Sequence, residues 1–215
     1  MKRNSLFLLL VISITFLSCS KKPGSLTGNV YWKYNNYVGN KPDAGSKINL
    51  YLLEEDEKEI AYKTSADVQG NFHIEKIKPG RYLLVVRSNN TTDCPMDHLR
   101  NLEIHKEDIK QVFGLDLDNY KEQMQKISSL DSLIHKTYVE ADNTSGEVTE
   151  HIKTRESLNN QINEIVNKVF ESFTDDFKIK TGLLTSYSNS CSFSVITIKE
   201  DETTTEVIDF GLTCI

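Results

Sequence analysis

Residues 67–86 read DVQGNFHIEKIKPGRYLLVV, and this stretch decides how the N-terminal half of the chain folds. Its apolar residues include two sets of alternating positions, which is the period of a β-strand with one apolar face. The first set is Phe72 and Ile74, and the second is Tyr82, Leu84 and Val86. The stretch therefore predicts two strands joined by a turn.

Glycine and proline residues flank and separate these two runs. Gly70 precedes the first run, and Pro79-Gly80 separates the two. A glycine reaches positive φ without the strain that a Cβ atom causes, and proline fixes φ at a value that turns use. We therefore expect Gly70, Pro79 and Gly80 to form structural turns, with positive φ at both glycines.

Short β-rich runs continue outward from this stretch on both sides. They are LTGNVYW, KINLYLL and EIAYKTS before it, and LRNLEIH and VFGLDLD after it. Runs of this spacing, with turn residues between them, are typical of an all-β sandwich. We therefore expect residues 25–117 to form two antiparallel sheets that close on one core.

The order of these motifs resembles a known family. Residues 67–72 and 79–82 carry Asp, Gly and Phe followed by Pro-Gly-x-Tyr, which resembles the carboxypeptidase regulatory-like domain, a transthyretin-like β-sandwich. Residues 42–48 are similar to the start of the family's second strand, and residues 27–30 fit its first strand. Asp43 departs from the pattern, which prefers an apolar residue there. The resemblance implies a structural or accessory module without catalysis.

The N-terminus has the order of a signal peptide. Two basic residues at positions 2–3 precede the apolar stretch 6–17, and Ser18-Cys19 follows it. A small residue directly before a cysteine resembles the lipobox of bacterial lipoproteins, whose cysteine is acylated and becomes the new N-terminus. The resemblance implies a signal peptide over residues 1–18, lipid on Cys19 and a tether over residues 19–24. The alternative is an ordinary secretory signal that ends near a cysteine.

The residues after Cys19 bear on localisation. Ser20, rather than Asp, resembles the sorting pattern of outer-membrane lipoproteins. Lys21 and Lys22 differ from the acidic residues that mark surface export in some bacterial lineages. We therefore expect a lipid anchor in the cell outer membrane, with a periplasm-facing position favoured over a surface-exposed one.

The period changes in the second half of the chain. Apolar residues recur every three or four positions after residue 118, which indicates amphipathic helices with a polar break at residues 142–146. Phe177, Ile179 and Thr181 alternate and predict a strand that precedes two further β-rich runs. Residues 118–215 are therefore expected to form an α+β unit with a helical hairpin and an antiparallel meander. Its predicted helices span about 119–140 and 148–173, and its predicted strands about 176–184, 191–199 and 204–212.

The cysteines suggest one disulfide. With Cys19 assigned to lipid, Cys94, Cys191 and Cys214 are left in an oxidising compartment. If the last two runs form a hairpin in which Cys191 faces Cys214, Lys199 faces Glu206 and the other opposing residues are also compatible. This register predicts a Cys191–Cys214 disulfide. Cys94 is then the odd thiol, and we expect it to be a small buried residue.

The sequence contains no motif for a particular chemistry. Acidic and basic residues are interleaved and give a net charge of −6, which argues against nucleic acid as a partner. There is no Gly-x-Ser-x-Gly elbow or phosphate-binding glycine loop, and Cys94 with His98 has no second close pair of metal ligands. The acidic run Glu54–Glu57 is interpreted as a solvated hairpin tip. We predict no catalytic residue, metal or cofactor.

Two functions remain open at this point. The first is a membrane-anchored, non-catalytic binding or scaffold protein of the cell envelope, with membrane lipid bound through Cys19 and an envelope protein or glycan as partner. The alternative is an enzyme or enzyme accessory subunit with its site in residues 118–215. An exposed apolar surface would favour the first, and perturbed titratable groups in a concave pocket would favour the second.

Overall fold

The computed structural model describes residues 22–35, 37–53, 60–92, 95–141, 148–184 and 188–212. No helix within these ranges is long and apolar enough to cross a membrane. A short 3₁₀ helix spans Leu117–Tyr120. The elements are β1 (Gly24–Asn35), β2 (Gly39–Pro42), β3 (Lys47–Leu52), β4 (Ile60–Ser65), β5 (Asn71–Ile77), β6 (Gly80–Thr92), α1 (Pro95–Ile104), α2 (Lys106–Phe113), α3 (Lys121–Ala141), α4 (Val148–Ser172), α5 (Asp175–Thr181), β7 (Asn189–Ile198) and β8 (Thr203–Leu212).

The described strands form two four-stranded sheets. In sheet A, β8 runs parallel to β1 over residues 25–33 of β1, while β5 and β2 are antiparallel to it. Because β8 spans the registers of both β5 and β2, these two strands must lie end to end along the opposite edge of β1. Sheet B has the order β4-β3-β6-β7, and all of its pairs are antiparallel.

The central strand β6 of sheet B is buried on both faces over residues 82–86. On β6, Tyr82, Leu84 and Val86 point into a core shared with sheet A, as the alternation predicts. Leu83 and Val85 point the other way, into a second core formed with the helices. The molecule is therefore built in three layers: sheet A, sheet B and the helices. A strand that is covered on both faces has a continuous run of apolar residues, which explains the sequence YLLVV at residues 82–86.

The mixed α+β class with a β-rich N-terminal region is confirmed, as are the five strands predicted between residues 26 and 88 and the two long helices. The sequences LRNLEIH and VFGLDLD, predicted as strands, lie instead in and around α1 and α2. Their apolar residues Leu99, Leu102 and Val112 pack in the helical core together with Ile109, which lies between the two sequences.

The predicted strand over about 176–184 is wrong, because residues 175–181 form α5. Thr174 caps the helix by accepting a hydrogen bond from the Phe177 backbone N–H at 3.3 Å. Phe177 and Thr181, one helical turn apart, are buried, whereas Ile179 is 74% exposed. Alternation over three apolar positions could not separate this arrangement from a strand.

The predicted β7–β8 hairpin is also wrong. β7 pairs with β6 in sheet B and β8 pairs with β1 in sheet A, so the turn at residues 199–202 crosses between the sheets. The last two strands thus complete the N-terminal sheets and do not form a meander of their own. Both strands alternate in a way that suits either partner, and the pattern therefore could not specify the pairing.

This topology removes the register that motivated the Cys191–Cys214 disulfide. Cys191 lies opposite Arg87, and its buried thiol donates to the Thr181 carbonyl oxygen at 3.8 Å. Cys214 lies outside the described residues, and the disulfide stays a prediction without that support. The signal peptide at residues 1–18, Cys19, Cys94 and the acidic run Glu54–Glu57 also lie outside the described residues.

Candidate functional site

Among the described residues, the most exposed aromatic side chains lie on the β1–β2 hairpin. Trp32 and Tyr34 occupy alternate positions of β1, and Lys41 of β2 is the ladder partner of Trp32, so the three side chains share one face. The ring centroids of Trp32 and Tyr34 are 5.6 Å apart, and the Lys41 Nζ atom lies 4.2 Å from the Tyr34 centroid. We call the group Trp32, Tyr34, Tyr37 and Lys41 the aromatic hairpin.

The rings of the aromatic hairpin belong to neither hydrophobic core. Tyr34 is 50% exposed and Tyr37, in the turn before Gly39, is fully exposed. A contact between Lys41 and the face of Tyr34 is a cation–π interaction, which fixes the ring at a modest gain in free energy. The hairpin therefore presents apolar ring faces beside a positive charge at the surface.

A depression of about 420 Å³ adjoins the hairpin between β1, β2 and the β4–β5 turn. Its polar groups come from Asn29, Asn40, Lys41 and Gln69, and Tyr31 contributes a ring. The Asn29 amide donates to the Gln69 carbonyl oxygen at 3.2 Å and to Asn71 Oδ1 at 2.9 Å. The Asn29 side chain is thus held by the turn.

The predicted turn motif frames this depression. Asp67 Oδ1 accepts hydrogen bonds from the backbone N–H groups of Gln69 and Asn71, both at 2.9 Å. Gly70 has φ +81°, and a Cβ atom there would come 2.3 Å from the Val30 carbonyl oxygen. The positive φ predicted for Gly70 is confirmed, and the motif places Gln69 at the surface.

The other two predicted turn residues lie between β5 and β6. Pro79 is in a bend directly before β6, as expected. Gly80 is the first residue of β6 and pairs with Ile198. Its φ angle is not positive. Positive φ occurs instead at Lys76, within β5. The prediction of positive φ at Gly80 is therefore wrong.

A buried polar cluster around Asp43 lies at the junction of β2, β3 and β6, and sequence reasoning missed it. Asp43 is fully buried, and Ser88 Oγ donates to its Oδ2 at 2.5 Å. The Asn89 backbone N–H, at 3.3 Å, and the Asn90 side-chain amide donate to Oδ1. The available signal was Asp43, a charged residue between two predicted strands, together with the polar residues 88–91.

The side chains with shifted pKa values lie elsewhere in the fold. Burial raises the pKa of Tyr51, whose hydroxyl donates to the Lys180 carbonyl oxygen at 3.1 Å. Burial also raises the pKa of Glu206. It lowers the pKa of His105, although the nearby negative charge of Asp108 acts in the opposite direction. Within the described ranges, no three metal-ligating side chains cluster. His98 Nε2 lies 3.1 Å from the Ser188 carbonyl oxygen, which is a structural contact.

Comparison with protein families gave no match, and neither did comparison with curated proteins. Among solved structures, the chain is similar to the minor pilin of Streptococcus agalactiae, with 10% identity and a TM-score of 0.37 over 91% of this chain and 47% of that one. It is also similar to a proposed carbohydrate-binding protein from Pseudomonas aeruginosa, with 7% identity and a TM-score of 0.34 over 90% and 92% of the two chains. The chain spans about half the length of the pilin.

Proposed function

We propose that this protein is a lipoprotein of the bacterial cell envelope that binds glycans without catalysing a reaction on them. Cys19 carries the lipid and holds the protein at the periplasmic face of the outer membrane. The lipobox pattern Ser18-Cys19 supports this anchor. The strand order β1 to β6 and the turn at Gly70 support a carboxypeptidase regulatory-like, transthyretin-like sandwich as the scaffold.

The aromatic hairpin is the observation that carries the binding proposal. Burying a large apolar side chain stabilises a fold by about 1.5–3 kcal/mol, and leaving it at the surface forgoes that gain. This chain has one tryptophan, Trp32, and places it 5.6 Å from the exposed Tyr34 ring, on the same hairpin as the exposed Tyr37. Clustered exposed apolar surface of this kind marks an interaction site.

A glycan suits this surface better than an apolar partner. Sugar rings present C–H groups on their faces, which pack on aromatic rings, and hydroxyl groups at their edges, which need hydrogen-bonding partners. The hairpin supplies the rings of Trp32 and Tyr34 with the charge of Lys41 on one face, and the depression on its other face supplies the Tyr31 ring with the side-chain amides of Asn40 and Gln69. A few placed polar groups beside aromatic surface are what orient a ligand in a binding site.

The position of the sole tryptophan provides a direct test. Soluble peptidoglycan fragments, titrated into the full chain, are expected to change the fluorescence of Trp32 saturably. Tyr34→Ala should weaken this binding by about three- to tenfold, in line with the contribution of an aromatic contact. Val207→Ala, which trims an exposed apolar side chain on β8, should leave it unchanged.

Two outcomes would contradict the proposal. If neither peptidoglycan fragments nor the polysaccharide released from lipopolysaccharide changes the fluorescence of Trp32, the hairpin is excluded as a glycan site. Envelope-protein crosslinks that disappear in Tyr34→Ala would then identify a protein-binding surface. Fragments that are shortened during incubation with the purified chain would show catalysis, contrary to the non-catalytic role.

A further inference from the structure

A second concave surface lies on the opposite sheet, where β4, β3 and β6 meet α5. It has a volume of about 490 Å³. Four basic residues line it, together with Asn49, Thr64, Ser65 and Thr181. We call it the basic cleft, and its basic residues are Lys47, Lys63, Arg87 and Lys180.

The strand register forces three of these charges together. Lys47 of β3 lies directly opposite Arg87 of β6, and Lys63 of β4 lies opposite Asn49, two residues along β3 from Lys47. Residues two apart on a strand share a face, so all three side chains point to the same side of sheet B. Like charges directly opposite each other destabilise a sheet, and a structural role does not explain this placement.

Little in the described part of the chain balances these charges. Lys180 forms an ion pair with Asp176 at 2.9 Å, and Lys47 Nζ donates to Ser65 Oγ at 3.2 Å. No described carboxylate forms an ion pair with Lys47, Lys63 or Arg87. The chain as a whole has a net charge of −6, so this local positive excess does not follow from composition.

Arg87 is the residue most clearly held for a ligand. Its guanidinium is half-buried and forms no hydrogen bond to any part of the chain that the structure describes. It lies over Gly182, the residue that ends α5 with φ +77°, where a Cβ atom would come 2.1 Å from the Arg87 Nη1 atom. Gly182 thus leaves room for the guanidinium. Its five donors are fixed in a planar fork that matches the oxygens of a phosphate group.

We propose that the basic cleft binds the phosphate group of a small phosphate ester. The Arg87 guanidinium donates hydrogen bonds to two phosphate oxygens, while Lys47 and Lys63 supply point charges on the same face of the sheet. Because the cleft of about 490 Å³ is larger than a free phosphate ion, Asn49 and Ser65, which share the face of the three charges, are available to the rest of the ligand. This site is separate from the aromatic hairpin and does not depend on glycan binding there.

Calorimetric titration of the full chain with glucose 6-phosphate tests the proposal, with inorganic phosphate and glucose as comparisons. We expect binding of the ester, weaker binding of phosphate and none of glucose. Arg87→Gln should weaken ester binding by about tenfold or more, since it removes a charge-assisted, bidentate contact. Lys153→Gln, at an exposed position of α4, is the matched control and should bind like the wild type.

Further variants separate the site from its alternatives. Arg87→Lys keeps the charge but removes the fork, so an intermediate affinity with an unchanged melting temperature supports bidentate contact. Flotation of the unlipidated Cys19→Ala chain with phosphatidylglycerol vesicles, against phosphatidylcholine vesicles, shows whether the phosphate comes instead from a lipid headgroup. Binding to either phosphate source, if it is lost in Arg87→Gln, supports the basic cleft as the phosphate-binding site.

Three results would overturn the proposal. The first is no binding of any phosphate probe at millimolar concentration. The second is an equal loss of affinity in Arg87→Gln and Lys153→Gln, which would indicate diffuse charge attraction. The third concerns the acidic run Glu54–Glu57, which precedes β4 in the sequence. If binding occurs only after these four carboxylates are changed to Gln, the occupant of the cleft is the chain's own acidic run.

Discussion

Asp43 shows how one residue ties several strands together. It lies in the link between β2 and β3, and its carboxylate accepts hydrogen bonds from residues 88–90 in β6. Ser88 in turn accepts a bond from Thr91 Oγ1 at 2.8 Å, and Thr91 is 2.8 Å from Ser190 Oγ of β7. A buried carboxylate without partners would be costly, so this network explains why a polar residue is tolerated at the position.

Gly70 provides a prediction at the same scale. Gly70→Ala should lower the free energy of unfolding by about 1 kcal/mol or more, because φ +81° is strained for alanine and the Cβ atom would collide with the Val30 carbonyl oxygen. Urea unfolding measures the difference. Gly39→Ala is the comparison, since Gly39 has a positive φ but open space around its Cβ position. An equal cost in both variants would contradict a role for the close contact.

Strand β6 is the element on which the whole fold depends. It pairs with β3 and β7 and supplies apolar residues to both cores. Sequence alternation identified one of its faces, because Tyr82, Leu84 and Val86 fit a strand with a single buried side. The burial of Leu83 and Val85 depends on the helical layer, which follows much later in the chain and leaves no local signal in β6.

Paired substitutions in β6 test burial on both faces. Leu83→Ala and Leu84→Ala should each lower the free energy of unfolding by about 2–5 kcal/mol, because both side chains are at most 1% exposed. Urea melts of the two variants provide the measurement, with Val207→Ala as an exposed control. A near-neutral Leu83→Ala beside a strongly destabilising Leu84→Ala would mean that the helices do not cover sheet B.

The whole molecule joins its first and last strands. β1 and β8 form a parallel pair in sheet A, while β6 and β7 join in sheet B around the helices between them. Residues from both ends of the chain therefore contribute to the core between the sheets, including Leu26, Val30, Ile196 and Ile208. The aromatic hairpin and the basic cleft lie on different sheets of this assembly.

The proposed membrane attachment concerns the whole molecule, and Cys19→Ala tests it. We expect this variant to move from the membrane fraction to the soluble fraction, because each acyl CH₂ contributes about 0.8 kcal/mol of membrane affinity and several chains are lost together. Fractionation with immunoblotting measures the change. Cys94→Ala, which leaves the lipobox intact, should stay in the membrane. Unchanged partitioning of Cys19→Ala would contradict the anchor.

Local patterns in the chain were sufficient to predict β1, β3 to β6, the two long helices and the turn at Gly70. These features depend on periodicity, and on backbone preferences that act over a few residues. The pairing of β7 and β8, the helix at residues 175–181 and the burial of Asp43 were decided only in three dimensions. A strand with alternating apolar residues can pair with many partners, and the choice depends on which edge is open and which face is covered by distant segments. The same holds for the basic cleft, since its charges are far apart in sequence and meet only through the register of sheet B.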